Sequence, residues 1–178
     1  MSSLTVAALP RLSSTALSEI LLEHSASNLD ASTPPSDIAI IDVRDDDHVG
    51  GHIKHSKHVP SLTLDHKVPE LVQQLKDKKV VVFHCALSQE RGPKAALRYL
   101  RERERLLKAE NLGGGLAKGD STNNAEEKGK EGKSEDVEDD KEQKVFVLDR
   151  GFVGWQEKYG EDTKLTEGYR KELWKNGY

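Results

Sequence analysis

Three short, nearly uninterrupted apolar runs punctuate the chain: IAIIDV (38–43), the VVVF that closes 79–83, and VFVLD (145–149). Each is rich in β-branched residues and bounded by polar or turn residues, so each predicts a buried strand. Helical spacing lies between and beyond them. Val68, Leu71, Val72 and Leu75 fall on one face of a helix, and the stretch from Gly92, PKAALRYLRERERLLK, predicts a second with Pro93 in its first turn. Near the N-terminus, Ser18 is expected to cap a helix running through His24. Strands that are apolar throughout need helices on both faces, so the alternation predicts an α/β domain with a central, mainly parallel sheet flanked by helices.

One segment breaks the pattern. Residues 111–144 carry almost no large apolar side chain, so they are expected to form a disordered loop inserted between a helix and the last strand. The insertion falls inside one domain, residues 12–160, and residues 161–178 read as a C-terminal tail. A length of 178 residues suits a single domain. The formal net charge of -4 gives no global attraction to nucleic acid or an anionic membrane, and no apolar run approaches the roughly 20 residues of a bilayer span. The single cysteine excludes a disulfide framework and points to a reducing compartment, cytoplasm or nucleus. The RERER run after Tyr99 reads as a solvated helix face, its alternative being a basic docking strip for a phosphoprotein or for the acidic insertion itself.

The residues that carry chemistry are VVVFHCALSQERGPKAAL. A buried strand ends at His84, Cys85 follows, and Arg91 opens a helix with Gly92 and Pro93. A lone cysteine would read as a small buried hydrophobe. This one sits at the carboxyl end of a parallel strand, where α/β proteins bind ligands. The amides of Ala86, Leu87, Ser88, Gln89, Glu90 and Arg91 can curl into an anion-binding nest reinforced by a helix N-terminus. Arg91 can fork two oxygens of a tetrahedral anion, and the same positive field favours the thiolate of Cys85. Ser88 is placed to hydrogen-bond the thiolate or the departing group.

HCALSQERGP (84–93) resembles the active-site loop of the cell-division-cycle dual-specificity phosphatases and of the small eukaryotic arsenate reductases, which share the rhodanese fold. IIDVR (40–44), GGHIKHSKHVP (50–60) and LDRGFVGWQ (148–156) resemble further landmarks of that fold in the same order, with Arg150 standing where a glycine is usual. The resemblance implies a single rhodanese-like domain. It implies Cys85 as nucleophile, the loop 86–91 as oxyanion cradle, Glu90 as acid, and Asp42, Arg44 and His84 supporting the loop from behind. Rhodanese sulfurtransferases usually carry a loop one residue shorter, so the longer loop here implies a phosphate-sized anion.

Two activities follow from the resemblance. A protein phosphatase would act on phosphoproteins through a phosphocysteine. An arsenate reductase would act on the small oxyanion and, with no second cysteine to close a disulfide, would need glutathione or a glutaredoxin as co-substrate. No other cofactor is implied. The related phosphatases often carry Glu where Ala86 stands and Cys where Val43 stands. His48, His52, His55 and His58 lie in a Gly- and Pro-containing segment and read as solvated rather than as metal ligands.

Overall fold

The structure, a computed structural model, describes residues 4–28, 30, 32–113 and 142–177. In chain order the elements are β1 (Arg11–Leu12), α1 (Ser14–Ser27), β2 (Ile38–Asp42), β3 (His52–Ile53), β4 (Lys57–His58), α2 (Leu64–Gln74), β5 (Val80–His84), α3 (Arg91–Gly113), β6 (Lys144–Leu148), α4 (Gly151–Tyr159), β7 (Thr166–Glu167) and α5 (Lys171–Trp174). The three apolar runs become the middle of a five-stranded sheet ordered β1-β6-β5-β2-β4, every pairing parallel. Val82 stands between Ile40 and Phe146 in register. The strands therefore end together, with Asp42 level with His84.

Burial on both faces explains the unbroken apolar strands. Val81, Phe83 and Val147 pack beneath α2 and α3 with Leu71, Ala96 and Tyr99. Ile40, Val82 and Leu148 face α1 and α4 with Leu17, Phe152 and Trp155. Fully burying side chains of this size stabilises by about 1.5–3 kcal/mol each before entropy is counted.

Helix α1 begins earlier than its spacing suggests. Ser13 is the cap, its Oγ accepting from the Ala16 amide at 3.1 Å. Ser18, the expected cap, lies inside the helix and donates to the Thr15 carbonyl at 2.7 Å. Starting at Ser14 lets both Leu17 and Leu21 reach the core.

Residues 114–141 lie outside the described residues, and with them most of the expected disordered insertion. Its two ends are structured. Helix α3 runs to Gly113, and Gln143 is buried. The Gln143 side chain accepts from Tyr99 Oη–H at 2.7 Å and donates to the carbonyls of Leu75 and Lys78 at 2.7 and 2.8 Å. It satisfies a buried phenol and the frayed end of α2 together. The segment after 160, read as a tail, packs against the domain: Leu165 is buried, β7 pairs antiparallel with β3, and Trp155 Nε1–H donates to Thr166 Oγ1 at 2.9 Å. Trp174 packs on Phe152 at 5.5 Å and donates to the Gly50 carbonyl at 2.9 Å.

The Gln143 contacts give the first test. Gln143→Ala removes the partner of the Tyr99 hydroxyl and of the Lys78 carbonyl, while the Leu75 carbonyl keeps the Lys78 amide at 3.0 Å, and is expected to cost roughly 2–4 kcal/mol in urea unfolding. A solvated loop residue would cost no more than about 0.5 kcal/mol.

Candidate active site

The loop from Cys85 to Glu90 leaves β5 at the carboxyl end of the sheet and enters α3 at Arg91. Two helices hold it. Helix α3 comes close enough at Gly92 that an added Cβ would lie 3.3 Å from His84 Cα and the Cys85 amide. The first turn of α4 lies against the loop's other side, where Phe152 and Val153 amides donate to the carbonyls of Cys85 and Ala86, both at 2.9 Å. Gly151 makes this possible: its φ is +55°, and a Cβ there would stand 2.5 Å from both carbonyl oxygens. Arg150, in the position where a glycine is usual, adopts φ 61°.

The direction of these carbonyls fixes the direction of the amides. In a trans peptide, C=O and the following N–H point opposite ways. With the Cys85 and Ala86 carbonyls tied to α4, the N–H groups of Ala86 and Leu87 point away from it. Further along, the Ser88 amide donates to Cys85 Sγ at 3.2 Å, and the Ser88 carbonyl accepts from Arg11 at 3.1 Å. Ser88 takes φ 54° to make this turn, and its Oγ is buried with no hydrogen-bond partner among the described residues. An open hollow of about 240 Å³ beside the loop is lined by Cys85, Ala86, Leu87, Gln89, Glu90 and Arg91. Cys85 itself is 3% exposed.

Behind the loop lies a buried ion pair. Arg44 donates through Nε and Nη2 to Asp42 at 3.0 and 2.7 Å, and through Nη2 to the Gly51 carbonyl at 2.9 Å. Its guanidinium stacks 4.2 Å from the centre of the Phe152 ring. Burial alone would raise the Asp42 carboxyl; the His84 imidazole and the Arg44 guanidinium hold it at about 2. Burial also pushes the His84 imidazole down, against the pull of Asp42. His84 Nδ1 lies 3.1 Å from the Cys85 carbonyl, which only accepts, so Nδ1 carries the proton and Nε2 faces Asp42 at 3.7 Å.

Arg91 meets two carboxylates of its own chain. Its fork engages Asp47, with Nη1 and Nη2 at 2.7 and 2.6 Å from the two carboxylate oxygens, and Nη1 also donates to Asp45 at 3.2 Å. Hydrogen bonding to Asp47 foremost, with Asp45 and the neighbouring Cys85 adding to it, raises its guanidinium further above its ordinary value. Asp45 is held in turn by Ser61 Oγ–H at 2.6 Å and the Leu62 amide at 3.1 Å. Burial opposes ionisation of Asp45, but these donors and Arg91 keep its carboxyl low. Nothing in the sequence singles out Asp45 or Asp47, which stand in a run of three aspartates. The available signal was position, because the end of β2 and the loop after β5 meet at one edge of a parallel sheet. Glu90 sits on the rim, largely exposed, 3.7 Å from Lys94.

A family model for the rhodanese-like domain matches residues 25–158. The chain belongs to the rhodanese-like domain family. Within this family it is similar to a dual specificity phosphatase Cdc25 of Arabidopsis thaliana, 38% identical over 123 residues that make up 67% of this chain and 62% of the relative. It is also similar to an arsenate reductase of Oryza sativa, 34% identical over 120 residues, 67% of this chain and 69% of that one. Among solved structures it resembles a yeast protein tyrosine phosphatase of the rhodanese family, with a TM-score of 0.61, 28% identity and coverage of 93% and 96% of the two chains. This rhodanese-like chain contains no group of three or more His, Cys, Asp or Glu able to hold a metal among the described residues. His48 and His58 instead stack at 3.8 Å, and His52 pairs with Glu167 at 3.1 Å. None of its described helices is long and apolar enough to cross a membrane.

Two substitutions test this architecture. Asp42→Asn strands the buried Arg44 charge and is expected to cost about 3–5 kcal/mol at neutral pH. The folded carboxyl is depressed from 3.8 to about 2, so its stabilisation is present above pH 4 and lost as pH falls toward 2; the variant's stability should lack that loss of about 2 kcal/mol. Gly151→Ala is expected to cost at least about 1–2 kcal/mol from the left-handed backbone alone. It should also shift the amide resonances of residues 85–88, because the new methyl group displaces the loop carbonyls.

Proposed function

We propose that this protein is a cysteine-dependent phosphatase that hydrolyses phosphate monoesters on tyrosine or mixed phosphoproteins through a phosphocysteine intermediate. The observation that supports the reading is that Cys85, the loop after it and Arg91 line one hollow, with the Ser88 amide donating to Cys85 Sγ. The thiolate attacks phosphorus in line, so an S–P bond forms as the P–O bond to the substrate breaks. Amides of Ala86 to Arg91 and the Arg91 guanidinium take up charge on the equatorial oxygens. Glu90, on the rim of the hollow, gives its proton to the departing oxygen; water then attacks the S–P bond and releases inorganic phosphate. Asp42, Arg44 and His84 act only by holding the loop.

A protein substrate is favoured by a second cavity. A cleft of about 640 Å³ starts at Arg91 and runs between α2 and α3, lined by Lys94, Arg98, Arg101 and Arg105 together with Asp65 and Glu102, which pair with Arg98 and Arg105. A phosphorylated segment has use for such a cleft, whereas a free oxyanion needs the loop alone. The RERER arginines that line it, Arg101 and Arg105, belong to this surface. A single free thiol suits a reducing compartment, so the reading assigns the protein to the cytoplasm or nucleus.

The similarity to the rice arsenate reductase supports a second reading at the same cysteine. There Cys85 forms an S–As bond to arsenate as an As–O bond breaks and that oxygen leaves, protonated, as water. Glutathione then attacks that sulfur, arsenite departs with the electron pair, and the Cys85–glutathione disulfide is reduced by a second thiol such as glutaredoxin.

Purified protein is expected to hydrolyse an aryl phosphate, with kcat/KM falling by at least about a thousandfold in Cys85→Ser. Glu90→Gln is expected to slow substrates with poor leaving groups more than activated ones. Negligible hydrolysis alongside glutathione-dependent reduction of arsenate would transfer the assignment to the second reading.

A further inference from the structure

We propose that Asp47 is a positioning residue that holds Arg91 so that one edge of its guanidinium is kept for the oxyanion. This rests on the oxyanion-cradle reading of the loop.

A guanidinium has five N–H groups, two on Nη1, two on Nη2 and one on Nε. Asp47 takes one from Nη1 and one from Nη2 in a bidentate pair, and Asp45 takes the other from Nη1. Among the described residues two take no hydrogen bond, Nε–H and the second Nη2–H, and these form the side-on fork that matches two oxygens of a tetrahedral anion. The clamp is itself anchored. Asp45 is pinned by Ser61 and Leu62, and its own amide donates to Asp47 Oδ1 at 2.9 Å. Arg91 thus meets a prearranged carboxylate frame rather than a mobile side chain, and the rotamer freedom of a long side chain is already spent before an anion binds.

Electrostatics alone argues the other way. Two carboxylates beside Arg91 repel an incoming dianion, so removing either negative charge should tighten phosphate binding. Positioning and simple repulsion therefore differ in sign. The comparison uses Asp47→Asn and, as a control for lost charge, Asp46→Asn; Asp46 is the exposed middle residue of the run.

Both variants and the parent protein would be titrated with inorganic phosphate while following the amide resonances of residues 86–91. Thermal unfolding of each protein checks that the fold is retained. The expected result is a Kd about tenfold weaker in Asp47→Asn and unchanged or tighter in Asp46→Asn. A Kd in Asp47→Asn that is unchanged or tighter overturns the proposal. Absence of any phosphate-dependent shift in the parent protein overturns the cradle and the positioning role together. Loss of aryl-phosphate turnover with phosphate binding intact would refute the phosphatase reading alone.

Discussion

The site depends on two hydrogen bonds in which the first turn of α4 captures the carbonyls of Cys85 and Ala86. Peptide planarity converts that capture into a row of amides turned the other way, which is the property an oxyanion cradle requires. The arrangement leaves room for no side chain at Gly151, where a methyl group would overlap both oxygens, and for little at Gly92, where α3 meets the start of the loop. Helices from opposite faces of the sheet thus fix one six-residue turn. The rigidity matters because a nest of amides stabilises developing charge only if it needs no rearrangement when that charge appears.

Charge is arranged in two tiers around this turn. The deeper tier is the Asp42–Arg44 pair, sealed from water, with Arg44 lying on Phe152 and Phe152 covered by Trp174 from the far end of the chain. Buried pairs add little net stability but are costly to break, so this one specifies geometry more than it adds free energy. The outer tier is Arg91 between Asp45 and Asp47, partly exposed and open to the hollow. The inner pair lies at the end of β2; the outer set holds the Arg91 guanidinium beside the hollow.

Much of this was legible in the residues. Apolar runs gave the three central strands to within a residue, because strands covered on both faces leave no polar alternation to misread. The loop was legible because strand end, cysteine, arginine, glycine and helix start are local in sequence. What escaped was non-local. Asp45 and Asp47 belong to a polar run whose partner lies more than 40 residues away. Gln143 lies at the edge of a charged segment, and only the tertiary fold brings it to Tyr99 and the end of α2. Ser13 and Ser18 both suit a cap, and core packing of Leu17 and Leu21 decides between them. The residues after 160 lack a long periodic run, yet Leu165 and Trp174 reach the domain through single anchors.

The most direct test of the central claim is mass spectrometry of protein mixed with an aryl phosphate and quenched in acid during turnover. One phosphoryl group is expected on a peptide containing Cys85, absent when Cys85 is replaced by serine. Hydrolysis that proceeds with no phosphorylated protein at any quench time, and persists in the serine variant, would contradict it.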